Sequence, residues 1–174
     1  MKIVLAIVTS LDGKSTKGNL SPSVWTSKED QSHFFSLIEK NNLIIMGKNT
    51  YLLRKTNLNL SKGKLRVVLT RNPNHFAPDQ VPGQLEFTNT PLKKLIQELK
   101  DRGYQKMLLV SGASLNSQFF KLGLIDELYL TMEPKIFGLG KGLVDETMLN
   151  INLKLISLRR LTKNGTLLLK YAVI

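Results

Sequence analysis

Short apolar runs alternate with amphipathic segments along nearly the whole chain. Runs rich in Val, Ile and Leu are typical of strands buried on both faces, and apolar residues that recur every three or four positions are typical of helices. The predicted strands are Lys2–Val8, Leu43–Met46, Leu65–Thr70, Met107–Val110 and Glu127–Met132. The predicted helices are Ser27–Lys40, a segment that Thr90-Pro91 opens and Gly103 closes, and about Ser114–Leu122. This alternation predicts an α/β fold with a mostly parallel central sheet flanked by helices on both faces.

The first predicted helix combines capping and amphipathic signals. Ser27 is a natural N-cap, and the acids Glu29 and Asp30 in the first turn favour the positive end of the helix dipole. Its apolar side is predicted to consist of Phe34, Phe35, Leu37 and Ile38. On these grounds alone, helix stability is a sufficient reason for an acid at position 30.

Two β-rich runs close the chain, Leu153–Leu161 and Thr166–Val173, and Asn164-Gly165 lies between them. Asn-Gly between two such runs is the strongest short-range signal for a hairpin. We therefore expect a C-terminal antiparallel hairpin at one edge of the sheet. No linker, repeat or low-complexity tract interrupts the chain, so residues 1–174 are predicted to form a single domain.

The composition excludes several classes of protein. No apolar run approaches the roughly 18 residues that span a bilayer, and the first run is too short for a signal peptide, so a soluble, cytoplasmic protein with no membrane partner is expected. The absence of cysteine excludes disulfides, thiol nucleophiles and cysteine-ligated metals. Only His33 and His75 remain as nitrogen ligands, so no metal site is expected.

The chain is strongly basic, with a formal net charge of +12 from 25 Lys and Arg against 13 Asp and Glu. Such a charge attracts anionic small molecules as well as polyanions. Nucleic-acid binding usually clusters its cations or interleaves them with aromatic residues, whereas here the cations are scattered. Most of the cations, including those in the short groups at residues 62–66, 93–94 and 159–160, are therefore interpreted as solvated surface, and no nucleic-acid partner is expected.

One strand runs directly into a glycine turn that carries a cation and a hydroxyl. The buried strand Leu43–Met46 is followed by Gly47, Lys48, Asn49 and Thr50. Glycine lets backbone N–H groups approach an anion closely, and the helix that follows presents its positive N-terminus. Lys48 adds a full charge. Alone, such a segment is more often a plain turn than a phosphate site, so the phosphate hypothesis needs support from other loops.

Other strand ends supply that support, because ligands bind beyond the carboxyl ends of parallel strands. Thr70-Arg71-Asn72 suits a phosphate monoester, and the small residues Ser111–Ser114 open a helix. The loop that ends at Trp25 is either a mobile flap or a surface loop anchored by the tryptophan, and its composition favours the latter. Gly138–Gly142 is interpreted as a flexible connection, since no clear helix follows it.

Taken together, these segments resemble the dihydrofolate reductase superfamily over nearly the whole chain. Met46–Tyr51 is similar to that family's Met-Gly-Arg-x-Thr-aromatic motif, with Lys48 where arginine is usual, and Gly123–Thr131 also matches. The resemblance implies a dihydrofolate reductase-like fold and NADPH as the cofactor, with Thr70 and Arg71 at the adenosine 2′-phosphate. Ser111 departs from the family's Gly-Gly pair. The cofactor contacts implied are Thr9, Asp12, Trp25, Gly47, Lys48, Asn49, Thr50, Thr70, Arg71, Ser111, Gly112, Ala113, Ser114 and Leu115.

Two branches of the superfamily compete for the substrate. Ser10–Lys14, Ser23–Trp25 and Glu133–Gly138 resemble the reductase of riboflavin biosynthesis, which reduces a ribosylaminopyrimidine phosphate. That branch implies a homodimer and a substrate contact from Ser23. The chain departs from it where Arg54–Thr56 replace an Asp-Asp-Pro segment, where Val110 replaces a glutamate, and where an arginine of the first helix is missing.

The second branch is dihydrofolate reductase itself, whose spacing around the substrate carboxylate resembles that of Trp25, Asp30 and Phe34. There Asp30, assisted by Thr131, would hold and polarise the ring, and Phe34 would pack on it. A carboxylate binds an amidine-like edge through two charge-assisted hydrogen bonds. The resulting hypothesis is hydride transfer from NADPH to a C=N bond of a pyrimidine or pterin substrate, with Asp30 and Thr131 as catalytic residues. The alternative from another class is a non-catalytic basic module that binds a nucleotide or nucleic acid.

Overall fold

The computed structural model describes residues 1–174 and contains eight strands and four α-helices. The strands are Lys2–Ser10 (β1), Leu43–Gly47 (β2), Leu65–Leu69 (β3), Leu85–Thr88 (β4), Lys106–Leu109 (β5), Glu127–Glu133 (β6), Leu153–Arg160 (β7) and Leu167–Val173 (β8). The helices are Lys28–Glu39 (α1), Lys48–Arg54 (α2), Leu92–Asp101 (α3) and Ala113–Lys121 (α4). Short 3₁₀ segments are Pro22–Val24, Lys55–Asn57 and Pro73–Asp79. None of the helices is both long enough and apolar enough to cross a membrane.

All eight strands form one sheet in the order β4-β3-β2-β5-β1-β6-β8-β7. The first six strands in this order are parallel, β8 is antiparallel to β6, and β7 is antiparallel to β8. The predicted fold, a mostly parallel sheet closed by a C-terminal antiparallel hairpin, is therefore confirmed. Because the six parallel strands point the same way, their carboxyl ends and the loops that follow meet at one edge.

The helices cover both faces of the sheet and create two separate core layers. On one face, α3 and α4 pack on a cluster that includes Leu95, Leu99 and Phe119. On the other face, α1 and α2 pack on a cluster that includes Tyr51 and Phe87. Each fully buried Leu, Ile or Phe of these layers contributes roughly 1.5–3 kcal/mol to folding. The strands between the layers are apolar on both sides for this reason, which is the pattern that their sequences predicted.

Helix α1 begins as predicted, because the Ser27 side chain accepts a hydrogen bond from the backbone N–H of Asp30 at 3.2 Å. Its predicted apolar side is wrong in one member, since Phe35 is 54% exposed.

The sequence patterns did not predict strand β4, because its four residues Leu85–Thr88 alternate in burial and include a charged residue, Glu86. A four-residue alternation is too short to distinguish from a loop by pattern alone.

In the basic group at residues 62–66, Lys62 is exposed as predicted, but the other two cations are not part of the solvated surface. Lys64 and Arg66 are only 8% and 5% exposed. Lys64 Nζ donates hydrogen bonds to the carbonyl oxygens of Ile38 and Glu39, at 3.0 and 3.4 Å, and thereby satisfies the end of α1. Scattered cations in the sequence therefore include two that the fold buries.

Candidate active site

A single cleft of about 1320 Å³ extends along the carboxyl edge of the parallel strands. This volume exceeds the 300–1,000 Å³ typical of a site for one small molecule, so the cleft has room for a cofactor and a substrate together. The structure brings most of the predicted site residues into its lining. They are Ser23, Asp30, Phe34, Gly47, Lys48, Asn49, Thr50, Thr70, Arg71, Ser111, Gly112, Ala113, Ser114, Leu115 and Thr131.

At one end of the cleft, the turn after β2 meets the first turn of α4. Gly47 is the N-cap of α2 and has a φ of −84°, a backbone conformation that any residue can adopt. A Cβ atom built on Gly47 would lie 3.8 Å from Leu115 Cδ2, and one built on Gly112 would meet nothing within 4 Å. Both glycines therefore leave open space in front of a helix N-terminus, which is what a close-lying phosphate group requires.

Two exposed cations stand at this end without protein partners. Neither Lys48 nor Arg71 takes part in an ion pair or a side-chain hydrogen bond. Beside Arg71, the Thr70 hydroxyl accepts only a long hydrogen bond of 3.4 Å from the backbone N–H of Asn72. Cations and a hydroxyl that the protein leaves unpaired in a cleft are suited to binding phosphate oxygens. This part of the cleft, lined by Gly47–Thr50, Thr70-Arg71 and Ser111–Leu115, is called the cationic end below.

The hydroxyl of Ser111, the predicted departure from the family's Gly-Gly pair, is hydrogen-bonded within the protein itself. It donates to Asn116 Oδ1 at 2.5 Å, and Asn116 Nδ2 donates to the carbonyl oxygen of Leu143 at 2.7 Å. Asn116 is fully buried. The Ser111 hydroxyl thus helps to fix the start of α4 against the segment after β6.

The opposite end of the cleft contains a buried carboxyl group. Asp30, in the first turn of α1, is 6% exposed, and Thr131 on β6 is 3% exposed. Burial raises the pKa of Asp30, hydrogen bonds from Thr131 and Thr26 lower it, and the negative charge of Glu133 raises it further. The net direction is upward. Asp30, Thr131, Phe34 and Ser23 form what is called the carboxylate end below.

Glu133 holds the carboxylate end in place, a role that the sequence did not reveal. It is 2% exposed, and its two carboxylate oxygens accept hydrogen bonds from the backbone N–H of Ser27 at 2.7 Å and from the Thr166 hydroxyl at 2.8 Å. The N-cap of α1 is therefore fastened to the end of β6. In the sequence, the only indication that Glu133 is important was its position directly after a predicted strand, where loops that bind ligands are expected.

His33 is a residue of the cleft lining that the sequence analysis did not predict as a site residue. It lies one turn after Asp30 on α1 and lines the cleft, and its Nε2 atom is buried without a hydrogen-bond partner. Burial lowers its pKa, and the positive charges of Lys170, Arg159 and Lys40 lower it further. Because residues three apart share a helix face, the spacing from Asp30 was a usable signal.

Three of the predicted cofactor residues lie outside the cleft lining: Thr9, Asp12 and Trp25. Thr9 is buried within β1. Asp12 accepts hydrogen bonds from the Ser10 hydroxyl at 2.6 Å and from the N–H groups of Phe137 and Gly138 at 3.1 and 2.7 Å. The Ser10 hydrogen bond and then the two backbone N–H groups lower the pKa of Asp12 to about 2.

Trp25 is a hydrophobic anchor, which matches the surface-loop interpretation. It is 6% exposed, its ring packs edge-on against Phe137 with centroids 4.9 Å apart, and its carbonyl oxygen accepts a hydrogen bond from Lys135 Nζ. Together with Asp12, it ties the loop after β1 to the segment after β6.

The glycine-rich segment Gly138–Gly142, which follows β6, also forms hydrogen bonds with the loop after β1. Ser15 N–H donates to the carbonyl oxygen of Lys141 at 2.7 Å, and Gly18 N–H donates to that of Leu139 at 2.9 Å. A Cβ atom on Gly140 would lie 1.9 Å from the Thr16 carbonyl oxygen. Glycine is therefore required at position 140 by the close approach of two backbones, and not by a nucleotide.

Comparisons with known proteins agree with this architecture. The model of the RibD C-terminal domain family matches residues 1–167. The uncharacterized protein YyaP of Bacillus subtilis is 25% identical in an alignment of 166 positions that covers 91% of this chain and 88% of that protein.

Solved structures show the same fold. A pyrimidine reductase-like protein from Corynebacterium diphtheriae superposes with a TM-score of 0.79 at 20% identity, over 99% of this chain and 92% of that one. A diaminohydroxyphosphoribosylaminopyrimidine deaminase/5-amino-6-(5-phosphoribosylamino)uracil reductase from Thermotoga maritima gives a TM-score of 0.78 at 16% identity. That alignment covers 99% of this chain but 56% of the Thermotoga protein.

Proposed function

Since the chain belongs to the RibD C-terminal domain family, we propose that it is an NADPH-dependent reductase of a pyrimidine substrate, similar to 5-amino-6-(5-phosphoribosylamino)uracil reductase. The observation that carries this proposal is the pairing, within one cleft, of the unpaired cations Lys48 and Arg71 at one end with the buried acid Asp30 at the other. A dinucleotide phosphate and a polar heterocycle need these two kinds of surface side by side. One domain over residues 1–174 and a cytoplasmic location remain predictions.

The cationic end fits NADPH by its chemistry. The N-termini of α2 and α4 and Lys48 would hold the pyrophosphate, and Thr70 with Arg71 would hold the 2′-phosphate that distinguishes NADPH from NADH. The open space at Gly47 and Gly112 supports this assignment. When bound, NADPH supplies the hydride.

Asp30 and Thr131 would bind and polarise the substrate at the carboxylate end. The ionised carboxyl of Asp30 accepts hydrogen bonds from the substrate ring, and this interaction raises the basicity of the nitrogen of the C=N bond. The carbon receives the hydride and the nitrogen takes up a proton from solvent water, so that the C=N bond becomes CH–NH. Thr131 holds the Asp30 carboxyl in orientation, and Phe34 packs on the ring.

Dihydrofolate is the second candidate substrate, because Asp30 and Phe34 lie one helical turn apart on the wall of the cleft and Thr131 lies across from them on β6. The deciding experiment is NADPH oxidation measured with the ribosylaminopyrimidine phosphate and, separately, with dihydrofolate. We expect turnover with the former. A protein that fails to bind NADPH but binds DNA with steep salt dependence would instead be a basic binding module.

A homodimer is also proposed, and the outer strand supports it. Leu153, Leu155 and Leu158 share one face of β7, since they pair with alternate residues of β8, and they are 41–55% exposed. No strand pairs with the outer edge of β7. A second copy that packs on this stripe would remove three leucines from water. Sedimentation should show a dimer for the wild type and a monomer for the double variant Leu155→Lys, Leu158→Lys; a wild-type monomer would contradict the proposal.

A further inference from the structure

The hydroxyl of Ser111 can offer a ligand only one kind of interaction, because its proton is already used. Asn116 Nδ2 donates to the carbonyl oxygen of Leu143 at 2.7 Å, and since a carbonyl oxygen only accepts, this contact fixes the orientation of the amide. Asn116 Oδ1 therefore faces Ser111. An amide oxygen also only accepts, so the Ser111 hydroxyl must donate the hydrogen bond of 2.5 Å that joins them. What remains on Ser111 Oγ is its lone pairs, which accept hydrogen bonds.

The rest of this network is buried and holds the amide in place. Asn116 is fully buried, and beside it the buried Ser117 hydroxyl donates to the carbonyl oxygen of Ala113 and accepts from the backbone N–H of Asp145, both at 2.9 Å. A flipped Asn116 amide would set its oxygen against the carbonyl oxygen to which its nitrogen now donates. Ser111, by contrast, is half-buried and lines the cleft. The start of α4 thus presents a hydrogen-bond acceptor with a fixed direction.

Ser111 lies one strand away from the turn proposed to bind the pyrophosphate. On β5, Leu109 pairs with Ile45 of β2, and the backbone N–H of Val110 continues the ladder with a hydrogen bond to the carbonyl oxygen of Ile45 at 2.9 Å. Ser111 and Gly47 each follow this pair by two residues, so they end neighbouring strands at the same level. Adjacent strands are about 4.8 Å apart.

The proposed substrate site is two strands away in the other direction. Leu109 of β5 pairs with Leu5 of β1. Farther along β1, Val8 pairs with Thr131 of β6. Ser111 and Thr131 are therefore at nearly the same level, about 10 Å apart across β1. A nicotinamide ring that extends from a pyrophosphate at β2 to a substrate at β6 must pass the end of β5, where Ser111 lies.

We propose that Ser111 Oγ accepts a hydrogen bond from the nicotinamide riboside half of the cofactor and thereby orients the hydride-donating ring. The inference rests on the proposed function and deepens it, since it names a contact to the reactive half of NADPH. Two donors of that half suit an acceptor: the ribose hydroxyls and the N–H₂ of the carboxamide. Glycine, which the resemblance implies at this position, has no side chain to make such a contact.

The test is a binding titration with NADP⁺ and with adenosine 2′,5′-bisphosphate, which keeps the 2′-phosphate and lacks the nicotinamide riboside. Ser111→Ala removes the acceptor, and Ser32→Ala, at an exposed serine of α1 outside the cleft, is the matched control. We expect Ser111→Ala to lose roughly three- to tenfold in affinity for NADP⁺, the range for one neutral hydrogen bond, and to bind the bisphosphate as the wild type does. Ser32→Ala should bind both nucleotides as the wild type does.

The 3-acetylpyridine analogue of NADP⁺, which has no carboxamide N–H, identifies the donor. If Ser111→Ala loses less affinity for the analogue than for NADP⁺, the donor is the carboxamide. If it loses the same factor for both, the donor is a ribose hydroxyl.

The bisphosphate separates a ligand contact from a structural role. Loss of the hydrogen bond between Ser111 and Asn116 also frees the start of α4, and a displaced helix would weaken the binding of both nucleotides. An equal loss for NADP⁺ and the bisphosphate, or an unchanged NADP⁺ affinity in Ser111→Ala, would overturn the proposal. If Ser111→Ala does not fold, Ser111→Gly removes the same hydroxyl and serves for the same titrations. A wild type that does not bind NADP⁺ contradicts the proposed reductase and this contact together, whereas equal affinities of wild type and variant contradict the contact alone.

Discussion

The two ends of the cleft differ in how the protein treats its charges. At the carboxylate end, Asp30 and Glu133 are 6% and 2% exposed, and Glu133 is fixed by hydrogen bonds from Ser27 and Thr166. At the cationic end, Lys48 and Arg71 are exposed and have no partner in the protein. Preorganised groups in a dry site act strongly on a reacting bond, whereas exposed cations mainly attract and hold an anion. Under the proposed function, this difference assigns the chemistry to the carboxylate end and the anchoring of the cofactor to the cationic end.

The largest effect that this comparison predicts is on turnover at the carboxylate end. Asp30→Asn keeps the shape of the side chain and removes its charge, so the substrate is no longer polarised. We expect turnover to fall about a thousandfold, within the range for a group that assists proton transfer, while NADPH affinity is unchanged. Steady-state kinetics and NADPH titration measure the two quantities.

Glu29→Gln is the matched control, because Glu29 is an exposed acid in the same turn of α1. It should keep wild-type kinetics. Full turnover in Asp30→Asn, or an equal loss in both variants, would remove the distinction between the two ends.

The next effect concerns anchoring at the cationic end. Arg71→Ala should weaken NADPH binding by roughly 10- to 100-fold, which corresponds to the loss of a charge-assisted hydrogen bond of about 1.5–3 kcal/mol. NADH has no 2′-phosphate, so its affinity should not change. Titration of both nucleotides checks this prediction, and Lys93→Ala, at an exposed lysine of α3, is the control. An equal loss for NADH would mean that Arg71 does not bind the 2′-phosphate.

The cationic end was largely predictable from sequence, whereas the support of the carboxylate end was not. A strand followed by Gly47–Thr50, and Thr70-Arg71 after another strand, are local patterns, and parallel topology brings them to one edge. Glu133 acts by contacts with Ser27 and Thr166, 106 and 33 residues away. Such contacts depend on register and loop path, which short-range patterns do not encode.

The same limit applies to individual charged residues. Arg66 looked like part of a solvated basic group, because composition does not show which face of β3 it occupies. Asp12 is predicted to contact the cofactor by resemblance alone, and the sequence did not show that its carboxylate accepts hydrogen bonds from the N–H groups of Phe137 and Gly138. The environment of each residue depends on distant segments, which supply hydrogen-bond donors to Asp12 and no hydrogen-bond partner to Arg66 Nη1.

A smaller effect should appear in the pH dependence of the reaction. The proposed reaction requires ionised Asp30, so kcat/KM should fall on the acid side as this group is protonated. The negative charge of Glu133 helps to raise the pKa of Asp30. Glu133→Gln should therefore move the acid limb to lower pH, and Glu127→Gln, at the other end of β6, should leave it in place. A limb that does not move in Glu133→Gln would show that the two carboxyl groups are not coupled.

The smallest predicted effect is on stability, where Asp30 and Asp12 should have opposite signs. The pKa of Asp30 is raised from its ordinary 3.8, so the folded state binds the proton more tightly, and this residue's contribution declines as pH rises above 3.8. The pKa of Asp12 is lowered from 3.8 to about 2, so its contribution is present above 3.8 and is lost as pH falls towards 2. At neutral pH, Asp30→Asn should therefore raise the unfolding midpoint and Asp12→Asn should lower it, with the difference shrinking in acid. Denaturation curves of both variants and the wild type, recorded from neutral pH to pH 3, measure this difference in unfolding midpoint. If both variants shifted the midpoint in the same direction at neutral pH, Asp30 would not differ from Asp12 in its effect on stability.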